Sequence, residues 1–179
     1  MRRVILICLA FALLLCACGG EAWQNLRELC EAFSRFASGT DRLAQIEPGQ
    51  FYARRQGDGT LYQAYLGDDL LLEIAALRNH RVHSVSLTGL PEQGQSAFFE
   101  AARCLLQAYT GAAPDQAERW LRQLRAGESE VLGVLGFEEG DFRFSYAANE
   151  AGRWLRASRL RFLPPEAEAP TLREWIAEE

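Results

Sequence analysis

The sequence predicts an α+β fold, an antiparallel sheet with helices packed on one face, in the order α-ββββ-αα-βββ-α. Three observations carry this expectation. Hydrophobic spacing switches along the chain between a period of about 3.6 and a period of about 2, which separates helices from strands. The extended runs follow one another through short Gly-, Asp- and Asn-rich turns, too short for the crossovers that a parallel sheet needs. A length of 179 residues with 49% hydrophobic content suits one domain with a full core.

The first helix is expected over 22–38. Trp23, Leu26, Cys30, Phe33 and Ala37 recur at three- and four-residue spacing, Leu29 and Phe36 widen the stripe, and Gly39 closes it. After Glu47-Pro48-Gly49 the period changes to that of strands, over 51–56, 61–66, 70–77 and 81–87. Gly57-Asp58-Gly59, Gly67-Asp68-Asp69 and Arg78-Asn79-His80 punctuate them as hairpin turns. A second helix over 91–109 carries Phe98, Ala102, Leu105 and Tyr109. Beside that stripe runs a row of small residues, Ala97, Ala101, Cys104 and Ala108, which lets another backbone come close. Pro114 and Asp115 open a third helix with Ala117, Trp120, Leu121 and Leu124 inward, ending at Gly127. Strands return over 130–137, 142–148 and 153–162. An acidic linker over 164–170 leads to a last short helix, where Thr171 and Glu174 form a capping box.

Charge narrows the classes of function. All 19 basic residues are Arg, so phosphate loops that need Lys, Schiff-base chemistry and Ser-Lys hydrolysis are excluded. Without Arg2 and Arg3, 17 Arg stand against 24 acidic residues, about −7, and nucleic acid is not an expected partner.

The amino terminus is an address. Met1-Arg2-Arg3 precedes an uncharged apolar run over 4–17, too short to span a bilayer, which takes about 20 residues, but of the length of a signal-peptide core. Leu15-Cys16-Ala17-Cys18 then resembles the lipobox of bacterial lipoprotein precursors, with Leu at −3, a small residue at −1 and Cys at +1. Cys16 fits less well, because Leu15 would precede it. The resemblance covers residues 1–20 alone. It implies removal of 1–17, lipidation of Cys18 and a membrane partner reached through the acyl chains, each buried CH₂ contributing about 0.8 kcal/mol. With Gly19 after the cysteine, the sorting rule of that family favours the outer membrane, facing the periplasm, in a host with two membranes. Residues 18–21 are then a lipidated cysteine and a tether reaching about 10 Å, 22–163 a single globular domain, and 164–179 a linker and helix.

Processing leaves Cys30 and Cys104, an even pair in an oxidising compartment. One lies on the core stripe of the first helix and the other in the small-residue row of the second, so a disulfide between them is expected. Closing so long a loop contributes about 4 kcal/mol in the chain-entropy picture.

No motif implies a metal, a cofactor or a catalytic residue. His80 and His83 span a turn and a strand start, where i and i+3 face opposite ways. Gly94-Gln95-Ser96-Ala97 resembles the start of a nucleophile elbow, but Phe98 replaces its second Gly, and a helix start is the expectation. Asp68-Asp69 and Glu138-Glu139-Gly140-Asp141 read as solvated turns. Trp154, Ser158, Leu160 and Phe162 are expected on the core face of the last strand. That leaves Arg153, Arg159 and Arg161 outward beside Arg143, as an anion-binding face for acidic lipid, polyanionic glycan or an acidic protein surface. Leu172, Trp175 and Ile176 form a small apolar face that docks on the domain or enters a partner groove.

The leading reading is a membrane-anchored, non-catalytic binding or assembly module with an envelope protein as partner. Two alternatives stay open: an inhibitor or immunity-type binder of a toxin or hydrolase, and an envelope hydrolase using His83 or His80. The address has a direct check: cell fractionation is expected to find Cys18→Ala in the soluble periplasmic fraction. Continued membrane retention contradicts lipidation at Cys18.

Overall fold

Asn25 starts the first helix, α1 (Leu26–Ala37). Its side chain accepts from the Glu28 amide at 3.0 Å while the Glu28 carboxylate accepts from the Asn25 amide at 2.9 Å, a reciprocal box that satisfies two otherwise orphaned donors. This cap sets the helix start at Leu26 rather than at 22. The computed structural model describes residues 24–40, 43, 45–67, 69–90, 95–127, 133–150 and 152–162. Cys18 and the carboxy-terminal segment bearing Leu172, Trp175 and Ile176 lie outside them.

Four strands follow α1: β1 (Tyr52–Gln56), β2 (Gly59–Leu66), β3 (Leu70–Ala76) and β4 (Val82–Gly89). Helices α2 (Gln95–Thr110) and α3 (Pro114–Ala126) precede β5 (Leu135–Glu139), β6 (Phe142–Asn149) and β7 (Gly152–Arg159). All seven strands form one antiparallel sheet in the order β1-β2-β3-β4-β7-β6-β5. The fold class is therefore the expected α+β, with two meanders joined at the β4–β7 pairing. Within the described residues, the strand expected from 130 begins at Leu135. The strand expected to reach 162 ends at Arg159, because Leu160–Phe162 tightens into a 3₁₀ turn whose Leu160 amide donates to Asp141 O at 2.9 Å.

The helices cover one face of the sheet. Leu29 and Phe33 of α1, Leu105 and Leu106 of α2, and Trp120 and Leu121 of α3 meet Leu72, Ile74, Val85, Leu87, Phe144, Tyr146, Leu155 and Ala157 in one buried cluster. Each large side chain of this kind contributes about 1.5–3 kcal/mol by leaving water. On β7 the inward residues are thus Leu155 and Ala157, and the face assignment read from sequence is reversed. Leu155 lies between Leu87 and Tyr146, and Ala157 between Val85 and Phe144. With a side-chain period of two, that register sends Trp154, Arg156 and Ser158 to the other face. Leu160 and Phe162 leave the alternation altogether in the 3₁₀ turn.

Tight backbone approaches fix the strand starts. Gly152 opens β7 at φ +142°, and a Cβ there would run into the Gly89 carbonyl oxygen. Gly152→Ala combines backbone strain with that collision, so a loss of about 2 kcal/mol or more is expected. Thermal or urea unfolding followed by circular dichroism measures it, and a variant of wild-type stability contradicts the close β4–β7 approach.

Candidate functional site

The alternation that buries Leu155 and Ala157 builds a polar array on the face turned away from the helices. In one row Gln63, Glu73, Ser86, Arg156 and Ser145 stand opposite one another across β2, β3, β4, β7 and β6. The adjacent row runs Leu61, Ala75, Ser84, Ser158, Arg143 and Glu138. On the other side lie Tyr65, Leu71, Thr88, Trp154 and Ala147. Polar residues concentrate on the central strands β4, β6 and β7.

Hydrogen bonding across this face is uneven. The Glu73 carboxylate accepts from Gln63 Nε2 at 2.7 Å and from Ser86 Oγ at 3.2 Å. Arg156 Nε donates to Ser158 Oγ at 3.1 Å, and among the described residues no carboxylate lies in ion-pair range of its guanidinium. Burial pulls the Arg156 pKa down from its ordinary value, with the Glu73 charge opposing the shift. Ser84 and Ser145 are only 4% and 6% exposed, and neither hydroxyl has a partner among the described residues. Arg143 is held by Glu138, its Nε 2.8 Å from Oε1, the one ion pair on this face among the described residues.

A second cluster lies at the end of the same strands. The Tyr109 hydroxyl donates to His83 O at 2.6 Å, and Arg159 lies near enough to favour its ionised form. Burial holds the Tyr109 hydroxyl far above its ordinary range. The Arg159 guanidinium also sits 5.0 Å from the Phe142 ring centroid. Arg159 thus ties α2 to the ends of β4 and β6.

The four arginines expected to form an anion-binding face are not brought together. Arg143 lies on the open face, Arg159 is buried on the helix-covered face and Arg153 shares that face by register, while Arg161 stands in the 3₁₀ turn, 5.3 Å from the Phe162 ring centroid. The guanidinium that joins Arg143 is Arg156, which sequence reasoning passed over. Its signal was present: Leu155 and Ala157 are the apolar pair at period two, and their alternation carries Arg156 outward with Ser158.

Other expectations resolve locally. Cys30 and Cys104 are both free and buried, so the expected bond is not formed in this structure. Exchange needs a thiolate, and burial pushes the Cys30 thiol up to about 11 and raises that of Cys104. Glu139, exposed at the end of β5, also has a structural part: it accepts from Trp120 Nε1 at 2.7 Å and from Gln116 Nε2 at 3.2 Å, pinning α3 to β5. His80 takes a left-handed turn conformation, φ 63°, and His83 sits at the irregularity where β4 meets β3, so the two do not share a regular face.

In comparison with known proteins, no family model matches the chain, and no curated protein or solved structure matches it significantly. The site stands on its own geometry.

His83 carries a pH dependence of known sign. Burial, and then the Arg156 charge, lower its pKa from the ordinary 6.5. As pH falls through 6.5 the unfolded chain therefore takes up this proton before the folded protein does. The contribution to stability is present above that pH and is lost on acidification towards the folded-state pKa. His83→Gln is expected to flatten the decline in melting temperature between about pH 7 and 5, and an unchanged slope assigns the decline to other groups.

Proposed function

We propose that this chain is a lipoprotein of a bacterial cell envelope, anchored through acylated Cys18, whose domain is a binding module for another envelope component. The leader, the small residue at −1 and the cysteine in register support the address. The observation that carries the binding reading is the open sheet face. Glu73 and Arg156 lie two strands apart on it, each hydrogen-bonded by neutral side chains rather than to the other. Tyr52 and Tyr65, 70% and 72% exposed, stand beside them at the β1–β2 end, with Trp154 in the Tyr65 row. Large amphipathic side chains next to charged groups that do not pair with each other make a surface suited to recognition.

Site-specific photocrosslinking in intact cells tests this. A crosslinker at Tyr65 is expected to give one discrete adduct that mass spectrometry identifies as an envelope protein. The same crosslinker at Glu118, exposed on α3, gives none, and Cys18→Ala abolishes the Tyr65 adduct. Equal labelling from both positions, or no adduct from Tyr65, sinks the reading.

A further inference from the structure

We infer that the end of the sheet where β4 begins is the surface that meets the membrane, set against lipid headgroups by Arg78, Arg81 and Arg161. The inference rests on the reading of Cys18 as acylated and goes beyond it by fixing which way the domain stands.

The chain enters the domain at a defined place. Gln24 is held twice: its carbonyl accepts from the Val82 amide at 3.0 Å, and its Nε2 donates to the Ala108 carbonyl at 2.7 Å. One bond ties it to the first residue of β4, the other to the last turn of α2. The antiparallel order gathers at this same end the turns 57–58, 77–81 and 140–141 and the 3₁₀ turn Leu160–Phe162.

Reach decides the direction. Five residues separate Cys18 from Gln24, so the link spans at most about 20 Å when fully extended. β4 runs from Val82 to Gly89, about 23 Å, and the turns 67–69 and 149–150 stand at or beyond its far end. Resting those turns on the bilayer would carry Gln24 farther from the lipid than the link extends. The end bearing Gln24 is therefore the one held at the surface.

Charge favours the same direction. The turns at the Gln24 end carry exposed Arg78, Arg81 and Arg161 with Asp58 and Asp141, whereas the far turns carry Asp69 and Glu150. Arg78 meets Asp58 at 3.1 Å, but both side chains are largely exposed, and such a pair contributes little in water and yields to a phosphate. A planar guanidinium matches phosphate oxygens with two parallel N–H donors, and an anionic leaflet attracts arginine while it repels the far acidic turns. Contact at this end stands the strands along the membrane normal. Tyr65, six residues along β2 from Gly59, is then raised about 20 Å, and the open face looks along the membrane rather than into it.

The mature lipidated protein, reconstituted in vesicles of phosphatidylcholine and phosphatidylglycerol, tests this by spin labelling. Nitroxides on single cysteines replacing Asn79, Tyr65, Gln123 or Glu150, all exposed, report proximity to a nickel ion chelated at the lipid headgroup. Cys30 and Cys104 are buried and stay unlabelled. Relaxation at Asn79 is expected to be enhanced several-fold more than at the other three sites. That contrast is expected to shrink in the triple variant Arg78→Gln, Arg81→Gln, Arg161→Gln. Enhancement at Gln123 or Tyr65 equal to that at Asn79 lays the domain on one face and overturns the proposal. Stronger enhancement at Glu150 overturns it too, as does an unchanged contrast in the triple variant. Asp58→Cys reports the same end should Asn79→Cys fail to fold. Mass spectrometry of the reconstituted protein separates the two readings. An unacylated Cys18 sinks the anchor and this surface with it, whereas acylated protein with equal enhancement at all sites sinks the surface alone.

Discussion

The β4–β7 pairing is the constraint on which the rest of the structure depends. It joins two sequential meanders into one sheet and brings Leu87 against Leu155 and Val85 against Ala157. Every side chain on β5, β6 and β7 takes its face from that register. Shifted by one residue, Arg156 and Ser158 would lie beneath the helices and Leu155 would face outward. The core excludes that alternative, because burying a charge without a partner costs far more than one aliphatic contact returns. Gly152 belongs to the same constraint: lacking a Cβ, it lets the start of β7 approach the Gly89 carbonyl.

Arginine does occur on the helix-covered face, and the treatment of Arg159 shows what the interior demands. Arg159 shares its face with the core yet sits at the strand end, where it reaches the Tyr109 hydroxyl and the Phe142 ring. Tyr109 in turn reaches the His83 carbonyl at 2.6 Å. A cation, a phenol and a main-chain carbonyl are thus linked so that α2 is fastened to the sheet's end by polar contacts as well as by packing. Glu139, in the same row on the edge strand β5, does similar work by holding the Trp120 indole of α3.

Most of the fold was legible in the chain because it is written in local signals. The changes of period, the turns at Gly57-Asp58-Gly59 and Arg78-Asn79-His80 and the stripe Leu29–Phe33–Ala37 each report a segment on its own. What local signals could not supply was the facing of β7. Trp154 is the largest apolar side chain there and invites an inward reading, while Leu155 and Ala157 look slight beside it. The choice between the two sets is made by partners about seventy residues earlier on β4, through Val85 and Leu87. The candidate site inherited the error, since an arginine on the wrong face is an arginine in the wrong cluster. Arg143 was placed correctly because Phe142, Phe144 and Tyr146 leave only one inward set.

The stability of the domain comes from one face of the sheet, and that isolates what the other face is for. Central strands favour β-branched and aromatic side chains, yet adjacent positions of β4, β6 and β7 on the open side carry Ser84, Ser86, Ser145 and Ser158. Threonine or valine would support the strands better. A local preference set aside at four neighbouring positions around one arginine marks a place where folding is not the governing requirement. The cost falls on the open face alone and leaves the helix-covered core untouched. Folding and recognition are thus divided between the two sides of a single sheet, and the register of β4 against β7 assigns each residue to one or the other.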